Sequence, residues 1–416
     1  MALKQLVHPQ WVRRLNLFGP SVGDPRHVVS LDADELVALA RKTTGLDDFG
    51  DAGWESAYRA LMTSLDAEAR LHLLGRLLTR AEVLRVLQTK LRLERFWSER
   101  PALLREPVER PIFVCGPPRS GTTILLELLA LDPQLRAPIA WEAHHPLPLR
   151  VGDPARDLAL RRELAEAEQE LWAEIDPAFL TMHELRHDLP CECVHFTQVD
   201  FAGPYWSMQY DAPSYMQWKL ATPDLDARFY AGHRRFLQTL QHGAAPHTWL
   251  LKSPAHLSTL PALFAEYPDA RVVHTHRDPT KFVGSVANLM CTLRFMRSDH
   301  VDVAQQGQIA LGTFKYLLEL GVALRKQAAL PEKQIVDSHY LDLMSDPVAN
   351  LQRVYEQLAL PWPNGHAERI RTYLREKPKA KFGAHTFAYE ELGLDVNVVR
   401  EQYAEYVKHY GIRAES

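Results

Sequence analysis

Residues Pro111 to Asp132 read PIFVCGPPRSGTTILLELLALD. Ile112-Phe113-Val114-Cys115 is an apolar run of strand length. Gly116 to Gly121 is turn chemistry, and Thr122 to Leu131 carries a leucine-rich helix pattern. A glycine loop that feeds a helix N-terminus aims several unpaired backbone N–H groups, and the positive end of the helix dipole, at one spot. Strand, loop and helix in this order form an anion cradle suited to a phosphate.

Gly116 and Gly121 have the spacing of a Walker A loop, but Thr122, followed by Thr123, stands where nucleotide triphosphatases carry Lys. A kinase or nucleotide hydrolase using this loop would need that Lys and a magnesium-binding Asp after an apolar strand, and neither is evident. The positive charge lies inside the loop on Arg119, whose planar guanidinium grips oxyanions bidentately. Two further strands end in cations. Thr248 to Leu251 leads into Lys252, which is unwelcome at the end of an apolar run unless it meets an anion. Arg271 to His276 leads into Arg277, with Ser285 following on a helix pattern. A charge at the carboxyl end of a parallel strand lies at the crevice where open α/β sheets bind ligands.

Pro118-Arg119-Ser120-Gly121-Thr122-Thr123 resembles the phosphosulfate-binding loop of sulfotransferases that use 3′-phosphoadenosine 5′-phosphosulfate (PAPS). Arg277 and Ser285, in RVVHTHRDPTKFVGSVAN, are similar to that family's second signature, and Trp249 to Pro254 to the strand that delivers a lysine beside the sulfate. The resemblance runs from Ile112 to the C-terminus and is greatest to the bacterial, actinobacterial-type members called glycolipid sulfotransferases. It implies an α/β fold, a P-loop-like parallel sheet flanked by helices, with PAPS as co-substrate and 3′-phosphoadenosine 5′-phosphate (PAP) as product. It places Arg119, Ser120, Gly121, Thr122 and Thr123 on the phosphosulfate and Arg277 and Ser285 on the 3′-phosphate, with Arg119 and Lys252 as catalytic cations. No metal is implied, because fixed cations and dipoles do what magnesium does in kinases. The run Lys377 to Gly383 resembles the segment that folds over the nucleotide, which makes Lys379 and Lys381 nucleotide-binding candidates, although the family's Arg-Lys-Gly is absent.

An acceptor hydroxyl must lose its proton as it attacks sulfur, so a carboxylate or imidazole must lie within reach. Cytosolic members read Lys-Thr-His where this chain reads Lys252-Ser253-Pro254, so that histidine is missing. The role passes to Glu142, which falls within a residue of the catalytic glutamate of glycan sulfotransferases, or to His144, with His256 a further possibility.

A formal net charge of -4 argues against a nucleic-acid binder, since binding a phosphate backbone demands a basic surface. Four Cys in 416 residues do not make a disulfide framework, which points to a reducing compartment. MALKQLVHPQWVRRLNLFG lacks the apolar core of a signal peptide, and no window approaches the roughly 18 uncharged apolar residues of a membrane span. A cytoplasmic protein is expected, acting on a small-molecule or lipid acceptor with a hydroxyl. A homodimer is possible.

Residues 1–105 read as a helical N-terminal segment and 106–416 as the α/β domain. A capped helix starts near Asp32, and leucines recur at helical spacing from Asp66 to Glu99, suiting core packing, a wall of the acceptor pocket or a dimer surface. His183-Glu184-Leu185-Arg186-His187 spells a zinc motif that needs both histidines on one helix face, yet Pro190 stops any helix within a turn. Cys191, Cys193 and His195 lie close by without a usual zinc spacing, and a partly buried segment on the acceptor side is the preferred reading. The aromatics from Phe196 to Trp218 suit a core or an apolar cleft. A non-catalytic nucleotide-binding scaffold is the remaining alternative; it would keep Arg277 and Ser285 but need no base.

Overall fold

The computed structural model describes residues 6–149, 152–377 and 387–415. Among them, five parallel strands form one sheet in the order β2-β3-β1-β4-β5: β1 Ile112–Cys115, β2 Leu135–Arg136, β3 Thr248–Lys252, β4 Arg271–His276 and β5 Ile335–His339. β1 lies at the centre, with Val114 opposite Lys252 on one side and Val273 on the other. All of β1 and β4 is buried, as a parallel sheet covered on both faces requires.

Strand alternation sorts these residues into two cores. Ile112, Val114, Leu250 and Val273 point to one face and pack with Leu125, Leu128, Leu351 and Val354. Phe113, Cys115, Trp249, Leu251 and Val272 point to the other and pack with Phe196, Tyr230, Phe236 and Leu263. The helices these residues come from, in chain order with those used below, are α1 Ala33–Thr44, α2 Gly53–Ala67, α3 Leu73–Glu99, α4 Thr122–Leu129, α5 Ala140–His144, α6 Pro154–Ile175, α7 Leu225–Gln241, α8 Pro279–Phe295, α9 Val303–Lys326 and α10 Pro347–Gln357.

The leucine repeat read as continuous from Asp66 to Glu99 is interrupted. Arg70 takes a left-handed φ of 45°, and the helix resumes at Leu73, where the His72 ring caps it by accepting from the Gly75 N–H at 2.9 Å. α3 then crosses close to the end of α8: a Cβ at Gly75 would lie 2.0 Å from the Arg297 carbonyl oxygen, so only glycine fits there. Arg297, itself buried, donates to Glu82 of α3 at 2.7 Å and lies over the Trp172 ring of α6. The N-terminal helices share one apolar cluster with Phe201, Tyr205, Trp206, Tyr210 and Tyr215, so most of the aromatic run is core. Among the described residues no helix is long and apolar enough to cross a membrane.

Candidate active site

Three strands deliver cations to the carboxyl edge of the sheet: β1 through the loop Gly116–Gly121, β3 through Lys252, and β4 through Arg277, which follows it. Gly116 (φ 144°) and Gly121 (φ 93°) hold the loop in conformations that favour glycine. A Cβ at Gly116 would meet Thr275 at 2.2 Å, so glycine also permits the close approach to β4. Arg119 has φ 68°, a left-handed value that non-glycine residues adopt rarely and that clusters at ligand clamps. α4 opens at Gly121 with no side-chain cap, which leaves its first N–H groups for an anion.

Ser120 does not face the mouth of the loop. Its hydroxyl is buried, donates to the Pro117 carbonyl at 2.5 Å and lies 2.5 Å from the Thr275 hydroxyl, so it braces the loop against β4. Arg119 donates to the Met182 carbonyl at 2.6 Å, and Arg277 donates to the Arg119 carbonyl at 2.7 Å. Burial, and then the neighbouring Arg277 charge, hold the Arg119 guanidinium below its usual range. Arg277 stacks over the Tyr340 ring at 3.8 Å and clasps the Glu415 carboxylate through Nε and Nη2, both at 2.9 Å. Glu415 is itself held by its N–H to Asp278 at 2.9 Å. A planar oxyanion from the C-terminal tail thus lies in the fork of this guanidinium. Ser285 is buried on α8, which follows Arg277 directly, while Lys379 and Lys381 lie outside the described residues. Lys377, just before them, is fastened to Glu127 at 2.6 Å and to Glu184 at 3.1 Å.

Lys252 is buried, donates to the Thr123 hydroxyl at 3.2 Å and forms an ion pair with Glu192. Burial alone would push the Glu192 carboxyl up, but the Lys252 ammonium and His183, 3.7 Å away, outweigh it and hold it well below the usual carboxylate range. Sequence reasoning passed over Glu192. The available signal was Lys252 itself, a buried cation calling for a carboxylate that no local spacing supplies.

The three residues expected as bases each have partners of their own. Glu142 closes the first turn of α5 on the Ile139 N–H at 3.3 Å and pairs with Arg136 at 3.1 Å. Arg136 is in register with Trp249 on β3, so the partner that holds Glu142 belongs to the edge strand β2. His256 is buried in the core with Nδ1 2.7 Å from the Tyr230 hydroxyl. His144 is also buried; its Nδ1 lies 2.9 Å from Glu168 and its Nε2 3.2 Å from His195 Nδ1. Burial pushes its imidazole down despite the Glu168 carboxylate. The zinc-like motif is not helical: His183 faces Glu192, whereas His187 lies 3.8 Å from Glu166.

His195 is one turn past Glu192 and donates its N–H to the Glu192 carbonyl at 3.0 Å. With His144, Glu82, Arg85, Glu168 and Gln169 it supplies the polar lining of a cavity of about 110 Å³ whose apolar walls are Leu78, Ala81, Leu171, Trp172, Leu185 and Tyr205. A second cavity of about 340 Å³ shares Arg85 and Glu168 with it and adds Arg92, His145 and Leu164. Both lie between α3 and α6, so the last of the N-terminal helices walls the space that His195 lines, one turn from Glu192.

A sequence profile described as "Sulfotransferase family" matches residues 111–364. The chain is 30% identical to sulfotransferase STF1 from Mycobacterium tuberculosis H37Rv, over 89% of this chain and 98% of that one, with a TM-score of 0.76. It is 28% identical to sulfotransferase STF9 from Mycobacterium avium, over 92% and 97%, with a TM-score of 0.79. It is also 24% identical over 314 residues, 72% of this chain and 75% of the relative, to the omega-hydroxy-beta-dihydromenaquinone-9 sulfotransferase Stf3 of Mycobacterium bovis.

Proposed function

The chain belongs to the sulfotransferase family, and on that premise we propose that it moves the sulfuryl group of PAPS to the hydroxyl of an apolar acceptor, with Glu192 as the proton acceptor. The contact of Lys252 with both Thr123 and Glu192 carries this reading, because it joins the phosphate loop to a carboxylate at one point. The residues suit the donor: the Arg277 fork takes a carboxylate bidentately, as it would a phosphate, and the uncapped N-terminus of α4 offers N–H groups beside Arg119. When bound, PAPS supplies the activated sulfuryl group. Arg119, Lys252 and the N–H groups from Gly121 to Thr123 stabilise the negative charge that develops at the leaving phosphate. Lys252 cannot serve two anions equally. As it is drawn to the donor side, the Glu192 carboxylate loses its partner and becomes a stronger proton acceptor for the hydroxyl.

The smaller cavity sets leucines and aromatics beside polar side chains, among them Arg85, Glu168 and two imidazoles, which favours an acceptor with an apolar body and a hydroxyl. The named activity of the Mycobacterium bovis relative, on an omega-hydroxy menaquinone, supports that class. The test pairs PAP-dependent thermal unfolding with a transfer assay over apolar and sugar alcohols. PAP at 100 times its dissociation constant should add about 2.7 kcal/mol of stability. Glu192→Gln should keep that gain and lose transfer by about 10²–10⁴-fold. Full transfer by Glu192→Gln would remove Glu192 from the mechanism, and preference for sugar alcohols would overturn the acceptor class.

A further inference from the structure

Behind Glu192, on the core side, three side chains from distant segments converge. The Cys193 thiol, a His233 ring nitrogen from α7 and a His256 ring nitrogen from the turn after β3 all lie within 4.8 Å of one another, and each residue is 1% exposed. The two rings are held in the same way. His233 Nδ1 lies 2.8 Å from the Tyr267 hydroxyl and His256 Nδ1 lies 2.7 Å from the Tyr230 hydroxyl, which in turn reaches Thr259 at 2.8 Å. Both Nε2 atoms are left buried with no hydrogen-bond partner. Other buried histidines here also leave a ring nitrogen bare; this pair differs in that both bare nitrogens belong to rings that converge on a buried thiol, where one shared partner would satisfy them. A ring fixed through one nitrogen by a hydroxyl, with the other nitrogen bare, is the arrangement of a metal-ligating histidine.

We propose that Cys193, His233 and His256 form a buried site for one thiophilic d¹⁰ cation, monovalent copper or divalent zinc, which ties the Glu192 turn to the end of β3 and to α7. One thiolate and two imidazoles are a donor set that such ions take. On binding, the Cys193 thiol gives up its proton, one metal–sulfur and two metal–nitrogen bonds form, and no electron is transferred. A trigonal ion with metal–sulfur near about 2.3 Å and metal–nitrogen near about 2.1 Å needs ligand atoms about 3.6–3.8 Å apart. The three side chains therefore close by about 1 Å at most from the 4.8 Å limit. Phe113 and Phe196 pack against the histidine rings at 5.0 Å, which makes the pocket dry. One thiolate with monovalent copper leaves no net charge in that apolar shell, whereas zinc leaves one, so copper is the better charge match. The ion takes no step in sulfuryl transfer, which Glu192 and the cations of the loop serve; it holds the turn that carries Glu192.

The full chain, expressed with zinc or copper supplied and purified without chelator, is expected to carry about one equivalent of metal. After stripping, cobalt(II) should produce thiolate-to-cobalt charge-transfer absorption in the wild type and in Cys191→Ser, but not in Cys193→Ser. Separate titrations with zinc(II), and with copper(I) under reducing anaerobic conditions, tell the two ions apart. Because Cys193→Ser alters the core, Tyr230→Phe serves as a second variant. It removes only the hydroxyl that orients His256 and should weaken metal affinity by about tenfold or more. A wild-type chain that stays metal-free after supplementation, or that binds all three ions no more tightly than Cys193→Ser, overturns the proposal.

Discussion

In the phosphate-loop half of the crevice, one short run of chain, Gly116 to Thr123, carries glycines, cation and helix N-terminus together, and Arg277 follows the neighbouring strand directly. In the histidine-lined half, Arg85, His144, Glu168 and the turn from Glu192 to His195 come from four segments that nothing in the sequence joins, and the cavity between α3 and α6 brings Arg85, His144, Glu168 and His195 together. The first half is set by backbone geometry. The second is set by packing, so its integrity depends on helices more than a hundred residues upstream. Lys252 is the hinge between them, bound to Thr123 on one side and Glu192 on the other.

Breaking that hinge should have the largest effect. Lys252→Met leaves Glu192 without its cation and is expected to cost about 3 kcal/mol in chemical denaturation, because removing one partner of a buried pair strands the other. The double variant Lys252→Met/Glu192→Gln should recover most of that loss. Equal stability of the single variant and the wild type would mean that the two halves are not held together there.

The start of α3, the helix that walls the histidine-lined half, should be acid-sensitive. Burial first, with nearby His8 adding and Asp299 opposing, pushes the His72 imidazole down to about 4. Its Nδ1 caps α3 as an acceptor, which protonation would abolish. The folded-state value lies below the ordinary 6.5, so the unfolded chain binds more protons. The stability is present above pH 6.5 and is lost as pH falls from there towards 4, by about 2 kcal/mol between pH 7 and 5. His72→Asn keeps a capping side chain without a titrating ring. Denaturation measured across that range should show a flatter slope for the variant; an unchanged slope would remove His72 as its source.

The smallest effect is expected at the far end of the phosphate-loop half. Glu415 occupies the Arg277 fork, and under the proposed function a phosphate bound there would have to displace it. Glu415→Gln removes the competing charge and should tighten PAP binding by about five- to tenfold, roughly 1 kcal/mol, in calorimetric titration. Weaker binding in the variant would mean that the tail helps to hold the nucleotide.

Much of the fold can be read from local pattern. The apolar runs at Ile112, Thr248 and Arg271 are strands, and strand alternation sorts the two cores. The break at Arg70 was hidden because leucine spacing continues across it, and only the left-handed backbone and the His72 cap interrupt the helix. Glu142 looked like the base because it lies a family-like distance along the chain from the loop. In three dimensions it caps its own helix and pairs with Arg136, while Glu192, fifty residues later in sequence, returns to the lysine.

The sequence alone determined the anion cradle and the three strand-end cations, because a turn, a helix N-terminus and a strand end are decided by residues within a few positions of one another. Tertiary structure decided which carboxylate meets Lys252, which helices wall the neighbouring cavities and that Cys193 faces His233 and His256. Those pairings rest on packing between segments far apart in the chain, and a buried charge or an unpaired ring nitrogen reveals its partner only once the chain has folded around it.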